Sequence, residues 1–547
     1  MLRTVLTALI LWAWAVCSRC SGLWSALSRT GRYAPRAPAW RRRKVARKAS
    51  SVTFSCSPEP PPSPANYSAR IRRTFSRISE YATARSDTPR TVEEDEAEQE
   101  DHELCWHSER FLHDRVLLRD SLEMLRDASK HGIKSLKDTL QFNLIRNLGH
   151  ERNKDYVRES IACLRQVMAY DGDDFSLAEK IEYIYTLLQS YGSTALLLSG
   201  GGSLAAFHLG VLRTLSAHQC LPHIIAGSSG GSVIAAIAGT RSCKELQDFL
   251  AEESLSKKKS WFKFASLSDA LTHYREHGHL QDIEYFQEWL RELCGELTFL
   301  EARERSGKIL NIVVSPAHTN EPPKVLNYIN APNVLVWSAV SASCAFPALF
   351  PPQDLKVKVR DSRDATFAST KSIARTKSGR FMDGSLGDDL PIEKLKEYFH
   401  VNFSIVSQTN LHAAPWLTVK RYLPSVLAYL CQSEFQHRFK QLEAIIPNRR
   451  LRGWLKLFHT PWEGDITMVL PMKLNPAAGV KNLVKALTRL DRKEYLRLIE
   501  LGEAATEPSL EGIKCMTAIE KEINVSMQKL STMISNRIHS PENPVLN

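Results

Sequence analysis

The pentapeptide Gly227-Ser228-Ser229-Gly230-Gly231 restricts this chain more than any other feature. It fits G-x-S-x-G and lies between a short apolar run, His223-Ile224-Ile225-Ala226, and a small-residue segment from Ser232 to Gly239. A serine at the centre of this pattern acts as a nucleophile only on a sharp strand-to-helix turn. Glycines on either side remove the Cβ atoms that would crowd such a bend. The turn also puts the serine at a helix N-terminus, where free amides and the dipole favour developing negative charge. The spacing therefore predicts strand, turn and helix over 223–239. Ser229 is the candidate nucleophile, and Gly227 and Gly231 are the glycines of its elbow. Ser228 and Ser232 are close by, but neither holds the central position.

The same grammar appears one unit earlier. Thr194 to Ser199 is a short, uninterrupted apolar run that suits a buried parallel strand. Gly200-Gly201-Gly202 ends it, and a helix is expected from about Leu204 to His218. Bare amides in such a turn can close on an oxyanion or a phosphate. A dinucleotide fingerprint fails, because Ala205 stands where the third glycine belongs. With a serine elbow one unit downstream, an oxyanion hole at Gly200, Gly201 and Gly202 is the better reading. Two strand–turn–helix units in succession imply an α/β sheet. Further strands are expected at 309–314, 324–329 and 403–407. Ser229 falls 35 residues past Thr194, too early for an α/β-hydrolase, whose nucleophile follows several strands.

The nucleophile needs a base. Asp383 precedes a glycine turn in Phe381-Met382-Asp383-Gly384-Ser385. His400, His412, His437, His459 and His539 follow it, and His412, near the end of an expected strand, is the best placed of these.

Around this core the chain changes character several times. Residues 1–90 hold 17 Lys and Arg against 3 Asp and Glu, while the remainder is nearly neutral. The basic excess therefore belongs to an N-terminal arm, which removes the charge argument for a nucleic-acid-binding core. This leader is rich in Arg, Ser and Pro and is expected to be mostly disordered. It opens with a short apolar segment, Val5 to Cys17, too short to span a bilayer. That segment reads either as a targeting signal with Ala13-Trp14-Ala15 as cleavage site, or as an anchor retained in one leaflet. An acidic linker is expected over 91–104, a helical domain over 105–190, a catalytic domain over 193–410 and a mostly helical region over 411–547. In the helical domain Ile161, Leu164 and Met168 share a face, and Ser176 to Glu179 reads as a capping box before Ile181, Ile184 and Leu187. The eleven cysteines show no paired CxxC spacing, so neither a disulfide scaffold nor a zinc site is expected.

Three motifs in this order, Gly200-Gly201-Gly202, Gly227-Ser228-Ser229-Gly230-Gly231 and Asp383-Gly384-Ser385, resemble the patatin-like phospholipases. Arg146-Asn147-Leu148-Gly149, Ser341 to Pro347, Asp383 to Pro391, Ser407-Gln408-Thr409-Asn410 and Glu463 to Thr467 are similar to the triacylglycerol lipases of fungal and plant lipid droplets. The likeness covers about 105–520. It implies a patatin-like sheet sandwiched by helices, with helical extensions at both ends. It also implies a Ser229–Asp383 dyad in which the aspartate takes the serine proton directly, with no metal and no cofactor. A carboxylate is a weak base for a hydroxyl, so the site should be dry enough to raise the Asp383 pKa. The chain departs from the patatin pattern after the triple glycine, where Leu204 and Ala205 replace a basic residue and a glycine.

The implied function is triacylglycerol hydrolysis at a lipid droplet or endoplasmic reticulum surface, with organelle import or secretion as the leader's alternative destinations. Phospholipase A, lysophospholipase and lysophospholipid acyltransferase activities are the enzymatic alternatives, and a catalytically silent lipid-binding protein is the non-enzymatic one. Two H-x4-D matches, His150 to Asp155 and His277 to Asp282, bear on acyl transfer, although Asp282 also suits a helix N-cap. The partner expected is a neutral lipid or phospholipid surface. Lys257 to Phe264 and Asn448 to Phe458 interleave cations and rings, which fits either an interfacial patch or a helix with a buried stripe.

Overall fold

The computed structural model describes residues 120–146, 153–172, 175–251, 260–317, 321–358, 370–372, 379–420, 425–446, 455–472 and 476–538. The leader, the acidic linker, Asn147 to Gly149, His150, Lys257 to Lys259, Asn448 to Trp454 and His539 lie outside them.

A mixed, mostly parallel sheet forms the centre. Its strands are β1 (Ser193–Leu198), β2 (Ile224–Gly227), β3 (Ile309–Pro316), β4 (Lys324–Leu326), β5 (Gln353–Asp354), β8 (Arg380–Asp383), β9 (Val401–Gln408) and β10 (Ile466–Val469), and β6 (Lys356–Lys358) pairs with β7 (Thr370–Ser372) separately. The order is β10-β9-β1-β2-β3-β8-β5, with β4 on β3. From β10 to β3 every pairing is parallel, while β8 runs antiparallel to β3.

Strand β1 explains the layering. Five of its six residues are buried, as a strand covered on both faces requires. Side chains alternate between faces, so Leu196 and Leu198 enter the larger core and Ala195 and Leu197 a smaller one. Ile405 and Val406 of β9 divide in the same way. The helices Phe207–Ala217 and Gly230–Gly239 cover the first face, and Ile392–Phe399 the second.

A second core lies among helices. Leu136, Leu140, Leu164, Val167, Ile184 and Leu187 pack with Met516, Ile519 and Ile523 of the long C-terminal helix Leu510–Ile538. The expected capping box is present, with Ser176 accepting from Glu179 N. Arg165 donates to Glu522 across 357 positions of chain. Two segments from the mostly helical 411–547 region thus join earlier structure. Helix Leu510–Ile538 completes the helical core, and β10 forms an edge of the sheet.

Four described residues of the interleaved cation–ring segments are buried. Trp261 and Phe262 are buried, Trp261 edge-on to Trp289 and Phe262 against Phe350. Leu455 and Leu457 are buried as well, and Phe458 stacks on Phe439. Trp261 and Phe262 are therefore core, and the interfacial reading is corrected for those two rings, while Phe264 and Phe458 are half-buried. Alternation of charge and aromatic looks the same in sequence whether the rings meet lipid or protein. Among the described residues, no helix is long and apolar enough to cross a membrane.

Candidate active site

The parallel strands end at one edge of the sheet, and β1 has neighbours reached in opposite directions, β2 on one side and β9 on the other. Crevices in open α/β sheets form at such a switch point, beyond the carboxyl ends of the strands. The loops that leave β1, β2 and β9 there carry Gly200 to Gly202, Ser229, and Thr409 with Asn410.

Ser229 occupies the N-cap of helix Gly230–Gly239 with φ 49° and ψ −127°. A serine in this region is strained by about 1–3 kcal/mol and persists only when its surroundings hold it. Several groups do. Its N–H donates to Ser343 Oγ at 3.0 Å, and Ser343 Oγ in turn donates to Val313 O at 2.7 Å. Its carbonyl accepts from Ser232 Oγ at 2.6 Å and Cys344 Sγ at 3.2 Å. The turn also demands close backbone approach: a Cβ on Gly231 would stand 2.2 Å from Leu198 O. Gly227, at the end of β2, packs directly on the Gly231 carbonyl. Ser232 is thus engaged in holding the turn, and Ser228 is fully buried.

Asp383 ends β8 and is fully buried. Its Oδ1 accepts from Ser385 N at 2.9 Å and Ser385 Oγ at 2.7 Å. Oδ2 makes no well-aligned hydrogen bond among the described residues. Burial pushes the carboxyl up to about 6, against the opposing pull of the nearby Ser229 hydroxyl and of the Ser385 hydrogen bonds. The nucleophile candidate and the acid candidate, 154 positions apart in the chain, are therefore neighbours in one buried site.

The triple glycine lies against them. A Cβ on Gly200 would be 3.3 Å from Ser229 Cβ. Gly202 has φ +58°, and a Cβ there would be 2.1 Å from Ala486 O, so only glycine fits. The three amides are not equivalent. That of Gly200 donates to Asp389 Oδ1 at 3.0 Å. Among the described residues, no hydrogen bond engages the Gly201 or Gly202 amide. Leu204 and Ala205, the positions that depart from the patatin pattern, are buried in the core.

Three of the later histidines make contacts of their own. His412 is half-buried, edge-on to Phe458 and Trp462, and desolvation pulls it down to about 4. His459 pairs with Glu443, and His437 with Gln441. Of the H-x4-D residues, Asp282 caps helix Ile283–Cys294 and pairs with Lys263, while His277 stacks on His273. Asp155 pairs with Arg158 on the surface.

Several residues at the site carried no individual role in the sequence reading. Asp389, Asn410 and Ser343 stood there only inside longer motifs. His208 carried no signal at all; it is fully buried, contacting Ser407 Oγ at 2.6 Å and Ser199 O at 3.0 Å.

Comparison with known proteins agrees with this arrangement. Residues 196–396 match the family described as patatin-like phospholipase. Triacylglycerol lipase SDP1L of Arabidopsis thaliana is 37% identical over 78% of this chain and 55% of its own length. Triacylglycerol lipase ptl2 of Schizosaccharomyces pombe is 33% identical over 68% of this chain and 59% of its own. Triacylglycerol lipase 4 of Saccharomyces cerevisiae is 34% identical over 73% and 47%. The chain thus spans about half the length of these curated relatives.

Proposed function

Through residues 196–396 this chain belongs to the patatin-like phospholipase family, and we propose that it is a serine-dependent triacylglycerol lipase acting at a lipid surface. The observation that carries the reading is the proximity of Ser229, on a strained elbow, to the buried carboxyl of Asp383, which burial pushes up to about 6.

In this reading Ser229 Oγ attacks the ester carbonyl while Asp383 takes its proton. The alcohol leaves with that proton, and an acyl-serine remains. Water then attacks the acyl carbon as Asp383 again accepts a proton, which it returns to Ser229 Oγ as the fatty acid departs. A carboxyl at about 6 is a stronger base than an ordinary aspartate, yet still ionised near neutrality. Ser385 holds one carboxyl oxygen, which leaves the other for the nucleophile. The developing oxyanion falls to the Gly201 and Gly202 amides and the N-terminus of helix Gly230–Gly239. Triacylglycerol is the substrate named for the relatives, and its insolubility requires action at an interface, that of a droplet or of the endoplasmic reticulum.

The test is hydrolysis of triolein and phosphatidylcholine, side by side, by wild type, Ser229→Ala and Asp383→Asn. Both variants should lose on the order of 10⁴-fold in kcat, with triolein the faster substrate for wild type. Activity surviving in Asp383→Asn would sink the dyad. Faster cleavage of phosphatidylcholine would make the enzyme a phospholipase. No activity, together with no fluorophosphonate labelling of Ser229, would leave a silent lipid-binding protein.

A further inference from the structure

A second aspartate lies beside the nucleophile. Asp389, six positions after Asp383, is buried in the turn before helix Ile392–Phe399. Its two oxygens have different partners: Oδ1 accepts from Gly200 N at 3.0 Å, and Oδ2 accepts from Asn410 Nδ2 at 2.6 Å. It therefore ties the loop after β1 to the loop after β9, at the residue that abuts Ser229.

The other end of Gly200 is held too. Its carbonyl accepts from Thr409 Oγ1 at 2.7 Å, and Thr409 N donates to Ser199 Oγ at 2.8 Å. A trans peptide points its C=O and the following N–H in opposite directions. With the Gly200 carbonyl turned to Thr409, the Gly201 N–H is turned away from it. Asp389 and Thr409 thus clamp both sides of Gly200 and leave the Gly201 peptide one orientation. Flexible glycines would otherwise sample several, and an oxyanion donor helps only when it is aimed beforehand.

We propose that Asp389 is a positioning residue of the hydrolytic site: by holding Gly200 and Asn410 together it aims the Gly201 amide at the oxyanion. A carboxylate suits the task because it accepts from two donors at once, whereas an amide accepts on one atom only. The proposal rests on the Ser229 hydrolase reading and deepens it.

The experiment uses the purified full chain, with kcat and KM measured separately on a p-nitrophenyl ester and on a triolein emulsion. The variants are Asp389→Ala, Asp389→Asn and the reciprocal pair Asp389→Asn with Asn410→Asp, with Ser229→Ala as reference. Asp389→Ala should lower kcat about 100-fold with KM changed less than about threefold, the size expected for a misaimed oxyanion donor. The reciprocal pair restores both hydrogen bonds, since the amide placed at position 389 accepts from Gly200 and donates to the carboxylate placed at position 410. It should return kcat to within about tenfold of wild type, above Asp389→Asn alone.

If Asp389→Ala fails to fold, as read by circular dichroism, the reciprocal pair against Asp389→Asn decides alone. No recovery in the pair, or a kcat loss below about threefold in Asp389→Ala, would overturn the proposal while leaving the hydrolase intact. Loss in Asp389→Asn as complete as in Asp383→Asn would make Asp389 a catalytic group instead. A wild type no more active than Ser229→Ala would overturn the hydrolase reading itself.

Discussion

The helical core and the carboxyl edge of the sheet are both buried, but they are built by opposite means. Among the helices, leucine and isoleucine at three- and four-residue spacing fill the interior, and capping side chains satisfy the ends. At the sheet edge, Ser229, Ser343, Asp383, Asp389, Thr409 and Asn410 are all buried within a few loops. The first region gains stability from almost every side chain it buries. The second holds carboxylates that burial pushes up to about 6 and about 7, and a serine in a strained backbone. Stability is given up where the proposed hydrolysis calls for a reactive serine and a strengthened base.

The contrast can be broken most forcefully at the elbow. Gly231→Val puts side-chain atoms into the Leu198 carbonyl, so thermal unfolding should fall steeply and fluorophosphonate labelling of Ser229 should vanish. An unchanged midpoint would show that the close approach is not required.

Ile184→Ala tests the other region. This residue is fully buried, and truncation should cost about 2–5 kcal/mol in denaturant unfolding. kcat per folded molecule should stay at the wild-type value. A parallel loss of kcat would mean that the two cores are not functionally separable.

Acid sharpens the comparison without a mutation. Asp383 must be ionised to accept the serine proton, so kcat should fall about tenfold per unit below about pH 6. Ser385→Ala removes a hydrogen bond that favours the ionised form, and the acid limb should move to higher pH. Movement in the opposite direction would count against Asp383 as the base.

The smallest effect is at Glu520, a buried acid of the helical region. It accepts from Thr194 N at 2.9 Å, and desolvation pushes it up to about 7. Because its folded pKa lies above the unfolded one, its contribution to stability is greatest below the unfolded value and is lost as pH rises through about 7. Glu520→Gln should therefore stabilise the fold by on the order of 1 kcal/mol at about pH 8, fading as the pH falls. Activity should not change. A stabilised but inactive protein would assign Glu520 a role at the site.

Much of the helical region was legible because its rules are local. Ser176 and Glu179 are three residues apart, and Ile181, Ile184 and Leu187 lie on one face of one helix. The two strand–turn–helix units were legible for the same reason. Asp383 stands out locally only as an acid before a glycine turn, and its pairing with Ser229 came from the resemblance, since no spacing ties the two together. Asp389, Asn410 and Ser343 were harder, because an aspartate in Asp388-Asp389-Leu390-Pro391 looks like an ordinary turn residue until Gly200 is beside it. Trp261 and Phe262 left two readings open for a related reason: their neighbours are charged in sequence but aromatic in space.

By itself, then, the chain's order of residues determined where strands turn sharply, which serine stands on the bend, and which helices carry a buried face. These depend on backbone sterics and on interactions within about one helical turn. Tertiary structure alone decided which carboxyl faces that serine, which glycine amide is occupied and which is left for an oxyanion, and that the last helix closes the first core. Such partners lie hundreds of positions apart, and only packing brings them within the few ångströms over which hydrogen bonds and desolvation act.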